Sequence, residues 1–430
     1  MFYRCESLLA FDGEVINTRG VENLKEMFAY CRRLKKLSTG RWIMQQCKTM
    51  AGMFKGCESL EEIDVSKWDV SNVEDFSSMF EGCNSLTAQI WQKYDKPENQ
   101  YLGISDLRAW ATPKAKTTAY MFKRCINMRK LDLSKFDMRN VENAQGMFQD
   151  CYNLRNIVCG EHTFSTSKVK NFAHMFDSAF EGISGYSYYN QEITRLLEKM
   201  DFSSATNMTA MLRNVSFYNE EVNIDKGGVD AFWDEFAHYV GDEKYRVRGL
   251  SLRINASKLD DIMRMLEGYS QDGIYLEMDA SNVSNMSRLF ERCSATCIRL
   301  KGFDTQRSIA CGMFWQSKET GIAHMFQGCR SLRFLILDSQ EFTFKLEHKD
   351  SYNTYKEDIF ADLPAECRVL VPKALLPTYR AAPVWKDYAE RIEAMEDYEF
   401  VGGSNMFVRR RIPTATEYVR MQDTVSFRKV

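Results

Sequence analysis

Apolar residues return along this chain in two alternating rhythms. In SLEEIDVS, Leu60, Ile63 and Val65 are spaced as L-x-x-L-x-L, which predicts a short strand with one buried side; Met128, Leu131 and Leu133 repeat the spacing, as do Leu332, Leu335 and Leu337. The stretch SNVEDFSSMFEGC that follows sets Val73, Phe76, Met79, Phe80 and Cys83 at helical spacing. Asn72 then reads as the N-cap, Glu74 and Asp75 as the acidic first turn, and Gly82 as the end. One strand and one short helix are predicted for each unit.

The unit repeats. M-F-x-x-C-x-x-L, with Met once in the last place, starts at Met1, Met27, Met53, Met79, Met121, Met147 and Met325, and weaker copies start at Met175, Met211 and Leu289. The intervals of 26, 26, 26, 42, 26, 28, 36, 78 and 36 residues make 26 the ground period and 78 three of them. Between Met211 and Leu289, GGVDAFWDEFAHYV, VRGLSLRI, ASKLDDIMRMLEGY and GIYLEMDA read as helix, strand, helix, strand, hence two degenerate units. A unit this small cannot bury its own apolar stripe, so each must stack on the next. The expected fold is an α/β solenoid of leucine-rich type, with a parallel sheet on one side and short helices on the other. Asp69, Asp137, Asp201 and Asp279 stand ten residues before the Met or Leu of the signature. Side chains this short at a turn are expected to accept from free backbone N–H groups at the strand-to-helix junction. A calcium ladder is the sharper alternative, but the Gly-rich nonapeptide of calcium solenoids is missing.

The consensus MFxxCxxLxxLDLSxFDxSNV resembles the BspA-type leucine-rich repeat proteins of bacterial and some protist surfaces. The resemblance covers roughly residues 1 to 395, and LPAECRVLVPKALLPTYRAAPVWKDYAERIEAM, residues 363 to 395, is similar to the strand, Val-Pro-Lys turn and Trp-containing helix that end many such arrays. It implies a recognition or adhesive surface without catalysis. On this reading residues 1–362 are the solenoid, with insertions at 88–118, 177–200 and 303–320; 363–400 are a capping strand and helix, and 401–430 a basic tail or docking hairpin. Surface members usually carry a secretion signal, whereas MFYRCESLLAFDGEV has charge and turn residues where a signal needs an unbroken apolar stretch. The setting is therefore left open between cell surface, phage particle and cytoplasm.

Composition changes this picture little. With 44% hydrophobic and 27% charged residues and a net charge of -2, the chain has no electrostatic footprint for nucleic acid or an anionic membrane. No segment approaches the ~18 apolar residues of a membrane span. Thirteen cysteines leave at least one unpaired in a monomer. Cys5, Cys31, Cys57, Cys83, Cys125, Cys151, Cys293 and Cys329 should form one column, about one inter-strand spacing of ~4.8 Å apart, with parallel side chains that disfavour disulfides. A buried thiol ladder is expected; zinc at Cys159/His162 or Cys293/Cys297 is the rival, on two-ligand spacings alone. His174 and His324, each just before Met-Phe, occupy one repeat position and are expected on partly exposed helix. No phosphate loop, nucleophile elbow or zinc-protease motif occurs, so neither catalysis nor a cofactor or metal is expected.

Binding is expected where material is inserted, because solenoid insertions emerge on one face. The first insertion holds Trp91, Tyr94, Tyr101 and Trp110; the second holds Tyr186, Tyr188 and Tyr189 in GISGYSYYNQ; the third holds Trp315. Tyr mixed with Ser, Gly and Asn suits a paratope-like surface, although such rings can equally fold inward and pin their loops. The expected function is recognition of a protein or glycan, with no nucleic acid and no membrane insertion. The alternatives are a structural assembly subunit or an intracellular sensor. Met1-Phe2 falls at the end of a repeat's helix, so either upstream residues or another subunit is expected to cover that end.

Overall fold

The computed structural model describes residues 1–65, 67–86, 104–105, 107–154, 156–180, 196–197, 199–215, 249–254, 257–270, 273–314, 321–349, 354–401, 406–409 and 426–429. The chain divides into two compact units, Met1–Val215 and Ser216–Val430. In the first, β1 (Ala10–Asp12), β2 (Lys36–Ser38), β3 (Glu62–Asp64) and β4 (Ile104–Ser105) pair in parallel, as do β5 (Lys130–Leu133) and β6 (Asn156–Cys159). Successive repeats contribute successive strands. Leu60, Ile63, Val65, Met128, Leu131 and Leu133 are all buried, so the L-x-x-L-x-L reading holds.

The Met-Phe segment is not a helix. Leu24, Glu26, Phe28 and Tyr30 donate their N–H groups to the carbonyls of Thr49, Ala51, Met53 and Lys55 in the next repeat, at 2.6 to 3.0 Å. The N–H groups in between, of Met27, Ala29 and Cys31, turn back to Leu24, Glu26 and Phe28 at 3.1 to 3.2 Å. A helix would commit every donor to its own fourth carbonyl back; here alternate donors join repeats and the others close three-residue turns. Positive φ settles the point, since right-handed helix excludes it. Glu26 and Tyr30 lie at 53° and 62°, Gly52 and Gly56 at 59° and 69°, Arg288 and Arg292 at 57° and 58°. Three-residue turns bury about every third side chain, which is why Val73, Phe76, Met79, Phe80 and Cys83 copied a helical stripe. Asn72 is no cap: its Nδ2 donates to the Gln45 carbonyl of the preceding repeat, at 2.8 Å.

Columns of identical side chains lock the repeats together. Phe2, Phe28, Phe54, Phe80, Phe122, Phe148 and Phe176 stack with centroids 5.0 to 5.9 Å apart and planes within 10°. Such offset pairs add about 0.5–1.5 kcal/mol each beyond area burial. Beside them Asn23, Thr49, Asp75, Thr117, Asn143, Asn171 and Asn207 form a continuous run of parallel bridges. Most of these also accept from the N–H two residues on, as Asp75 does from Ser77 at 2.9 Å. The predicted aspartate turns recur in both units: Asp69, Asp137, Asp201 and Asp279 accept from the N–H of Ser71, Arg139, Ser203 and Ser281 at 2.8 to 3.1 Å. Outside, the charge alternates along one column, and Lys48–Glu22, Lys116–Glu74 and Lys170–Glu142 pair at 2.6 to 2.8 Å.

In the second unit the strands lengthen. β7 (Gly249–Ile254), β8 (Gly273–Met278), β9 (Cys297–Lys301), β10 (Phe334–Asp338), β13 (Arg368–Val371) and β14 (Ile392–Ala394) form one parallel sheet in that order. The degenerate stretch 257–270 is a repeat in which Met265 and Leu266 take the Met-Phe places and Tyr269 the Cys place; all three are buried, with positive φ at Arg264 and Gly268. Residues 227–240 lie outside the described residues. One helix, α1 (Gln306–Phe314), occupies the start of the third insertion. The short antiparallel pair β11 (Glu347–Lys349) and β12 (Thr354–Lys356) precedes β13, α2 (Leu376–Ala381) and a 3-10 segment, Trp385–Arg391. Trp385 is fully buried edge-on to Tyr379 and Phe360, at 5.0 and 5.4 Å. In the tail, β15 (Tyr398–Val401) pairs antiparallel with β16 (Met406–Arg409), which pairs in parallel with β17 (Ser426–Lys429).

Candidate functional site

The two left-handed residues of each repeat flank Met-Phe, one before the Met and one three residues after it. While Met, Phe and Cys turn inward, these two positions and the second residue after Met are half-buried or exposed in most repeats, though Ala29, Asp177, Ser178, Ala210, Glu267 and Glu291 are buried. Their occupants change from repeat to repeat: Tyr30, Gly56, Gly82, Arg124, Asp150, Ser178 and Asn214 share one column, all half-buried or exposed except buried Ser178. In the first unit the rings of this face rest on glycines. A Cβ at Gly56 would sit 2.7 Å from the Tyr30 ring, and one at Gly146 would sit 2.5 Å from Tyr120. Arg4 lies over Tyr3 and Tyr30 at 5.5 and 5.6 Å, Lys123 over Tyr120 at 5.0 Å, and Lys55 pairs with Glu81 at 2.9 Å.

Toward the end of the first unit the same positions close into a charged cluster. Asp177 is fully buried; Arg213 grips it with Nε and Nη2 at 2.8 and 2.7 Å, and His174 Nδ1 lies 2.8 Å away. Burial alone would raise this carboxyl, but the hydrogen bonds from His174 and Arg213 outweigh it and hold the pKa below the ordinary value. His174 and His324 do share one repeat position, partly exposed, but on a left-handed turn rather than a helix.

In the second unit guanidinium groups replace the rings. Arg264 pairs with Glu267 at 3.4 Å and Arg288 with Glu291 at 2.8 Å, while Arg288 also reaches Gln327 at 3.4 Å. Arg288, Glu291, Arg292, Gln327, Gly328 and Arg330 line an open hollow of about 550 Å³. Gly328 has φ 78°, and a Cβ there would stand 3.4 Å from Arg292 Cγ, so glycine leaves that arginine room at the rim.

The family profile described as "Mycoplasma protein of unknown function, DUF285" matches residues 1–100, 98–189, 121–235 and 253–336, well over half of the chain. The chain belongs to this family. The DUF285 segments take in the Phe column of the first unit and the arginine hollow of the second, and end before the Phe360–Trp385 cluster. No curated protein and no solved structure matches the chain.

Within this DUF285 framework one aromatic of the predicted ligand surface is described, and it is a core residue. Trp110 is fully buried; its Nε1 donates to the Val65 carbonyl at 3.1 Å and its ring stacks on Trp68 at 6.1 Å, as Trp68 does on Trp42 at 5.7 Å. Trp42, Trp68 and Trp110 each precede a signature Met by eleven residues, so Trp110 belongs to the repeat and not to an insertion. That shared offset was the signal in the sequence. Trp91, Tyr94, Tyr101, Tyr186, Tyr188, Tyr189 and Trp315 lie outside the described residues.

Within each unit the signature cysteines stack from repeat to repeat, free, and buried except for exposed Cys5. Cys57, Cys83, Cys125 and Cys151 donate to the carbonyls of Phe28, Phe54, Phe80 and Phe122 at 3.1 to 3.2 Å. Desolvation pushes Cys125, Cys293, Cys297 and Cys367 up to about 12. These thiols are therefore held protonated. Among the described residues no group of three or more His, Cys, Asp or Glu side chains is placed to hold a metal ion, and no helix is long and apolar enough to cross a membrane.

Proposed function

We propose that this DUF285 chain is a non-catalytic recognition protein: a leucine-rich solenoid of the BspA-like kind whose turn face binds a protein or glycan partner. One observation supports the reading. Within a repeat the inward places are nearly constant, Phe28, Phe54, Phe80, Phe122, Phe148 and Phe176 being one example, whereas the solvent-side places hold Tyr, Gly, Arg, Asp and Asn in turn. A frame that serves only as a spacer has no use for such variety on a single face, while a recognition surface is built from it. The test is a glycan and protein array probed with the purified chain, every hit being measured again with Tyr30→Ala, Lys55→Ala and Arg292→Ala. Hits that these substitutions weaken, with folding unchanged, are the expected result. A chain that binds nothing, or whose hits ignore the whole turn face, points instead to a structural assembly subunit.

A further inference from the structure

The arginine hollow of the second unit combines features that the rest of the turn face keeps apart. Three guanidinium groups and one carboxylate line it, a local excess of positive charge on a chain whose net charge is -2. Its internal pairing leaves cation to spare. Arg288, about one-sixth exposed, forms the short contact with Glu291, whereas Arg292, three-quarters exposed, stands 3.8 Å from the same carboxylate. Arg330 is exposed, and none of the ion pairs among the described residues includes it. Planar forks at Arg292 and Arg330 suit an oxyanion approached from solvent.

The remaining lining narrows the ligand. Among the described residues no aromatic ring lines the hollow, so these residues offer no stacking platform for a base. About 550 Å³ exceeds what a bare phosphate fills and falls within the range of small-ligand sites. Gln327 supplies an amide that donates and accepts, and Glu291 a fixed acceptor; together they match hydroxyl groups beside an acid. We infer that this hollow binds the acidic sugar of a glycan, with its acid group on Arg292 and Arg330 and its hydroxyls on Gln327 and Glu291. The inference rests on the recognition reading above and gives it a ligand class.

The test is titration of the full chain with oligosaccharides carrying uronic acid, sialic acid or sulfate, each beside its neutral parent, and with an oligoglutamate peptide and inorganic phosphate. At least one acidic oligosaccharide is expected to bind in a salt-sensitive manner, its neutral parent about tenfold more weakly or not at all. Arg292→Ala combined with Arg330→Ala should weaken binding by about tenfold or more, the loss of a charge-assisted contact. Both side chains are exposed, so an unchanged melting curve confirms that the double variant is folded. Gln327→Ala should weaken the sugar and leave phosphate unaffected. Oligoglutamate or phosphate bound as well as the sugar, indifference to the double variant, or no acidic oligosaccharide bound would overturn the inference. An array partner recognised without any acidic sugar sinks this site alone and leaves the recognition reading standing.

Discussion

The two units use one repeat and hold it together differently. In the first, the strands are 2 to 4 residues long and the Phe column runs unbroken from Phe2 to Phe176. In the second, β7 to β10 are 5 or 6 residues long, and the corresponding column reads Leu266, Phe290, Phe326. Where backbone pairing is long, the ring column can lapse; where it is short, stacked rings and the bridge ladder carry the cohesion. The solvent side follows suit, with rings over glycine in the first unit and Arg–Glu pairs in the second.

The strongest way to break that comparison is to remove a ring. Phe122 stacks on Phe80 and Phe148 at 5.9 and 5.8 Å, while among the described residues Phe290 has one phenylalanine neighbour, Phe326, at 5.5 Å. Phe122→Ala should cost about 3–5 kcal/mol, the usual range for a buried ring. Phe290→Ala should cost less, by about the one stacking pair it lacks, ~1 kcal/mol. Denaturant titrations of the two variants, read in their own units, measure the difference. Equal losses would show that the ring column is ordinary core rather than the chief cohesion of the first unit.

Much of this could be read from the sequence, and the failures share one cause. The period, the L-x-x-L-x-L strands, the thiol column and the aspartate turns all depend on which side chain faces inward, which a 26-residue recurrence reports directly. Backbone path is reported only indirectly. Val73, Phe76, Met79, Phe80 and Cys83 satisfy a helix and a chain of three-residue turns equally well. Gly52, Gly56, Gly82 and Gly146 at recurring places were the available clue, because a helix interior disfavours glycine and a left-handed turn accepts it. The arginine hollow was invisible for another reason: Arg288, Arg292 and Arg330 carry no motif and meet only because two repeats stack.

The next effect is the buried charge that closes the first unit. Arg213→Ala strips Asp177 of its bidentate partner and leaves it the contacts with His174 and Ser178. Removing one member of a buried pair costs about 3–5 kcal/mol; with Arg213 about a quarter exposed, the lower end, near 3 kcal/mol, is expected. The pH dependence follows from the depressed Asp177 carboxyl. A folded-state pKa below the unfolded value of ~3.9 gives stability that is complete above that value and lost as pH falls through the folded one. Wild-type protein should thus lose stability in this unit below about pH 4, and Asp177→Asn should remove that part of the slope. An unchanged acid limb in Asp177→Asn would place the titration elsewhere.

The smallest effect sharpens the comparison most, because it reads each unit separately. Cys125 and Cys367 are buried in the first and second units, and in both desolvation raises the thiol to about 12. Alkylation needs thiolate, so near pH 8 neither should react in folded protein, while exposed Cys5 reacts at once. Reaction at the two sites then reports opening of each unit in turn. Cys83→Ala, which deletes the Sγ donor to the Phe54 carbonyl at 3.1 Å, should cost only about 1 kcal/mol. It should bring forward labelling of Cys125 and leave Cys367 unchanged. Labelling that advances at both sites together would mean that the units open as one, and the contrast between ring column and long strands would then describe two halves of a single cooperative fold.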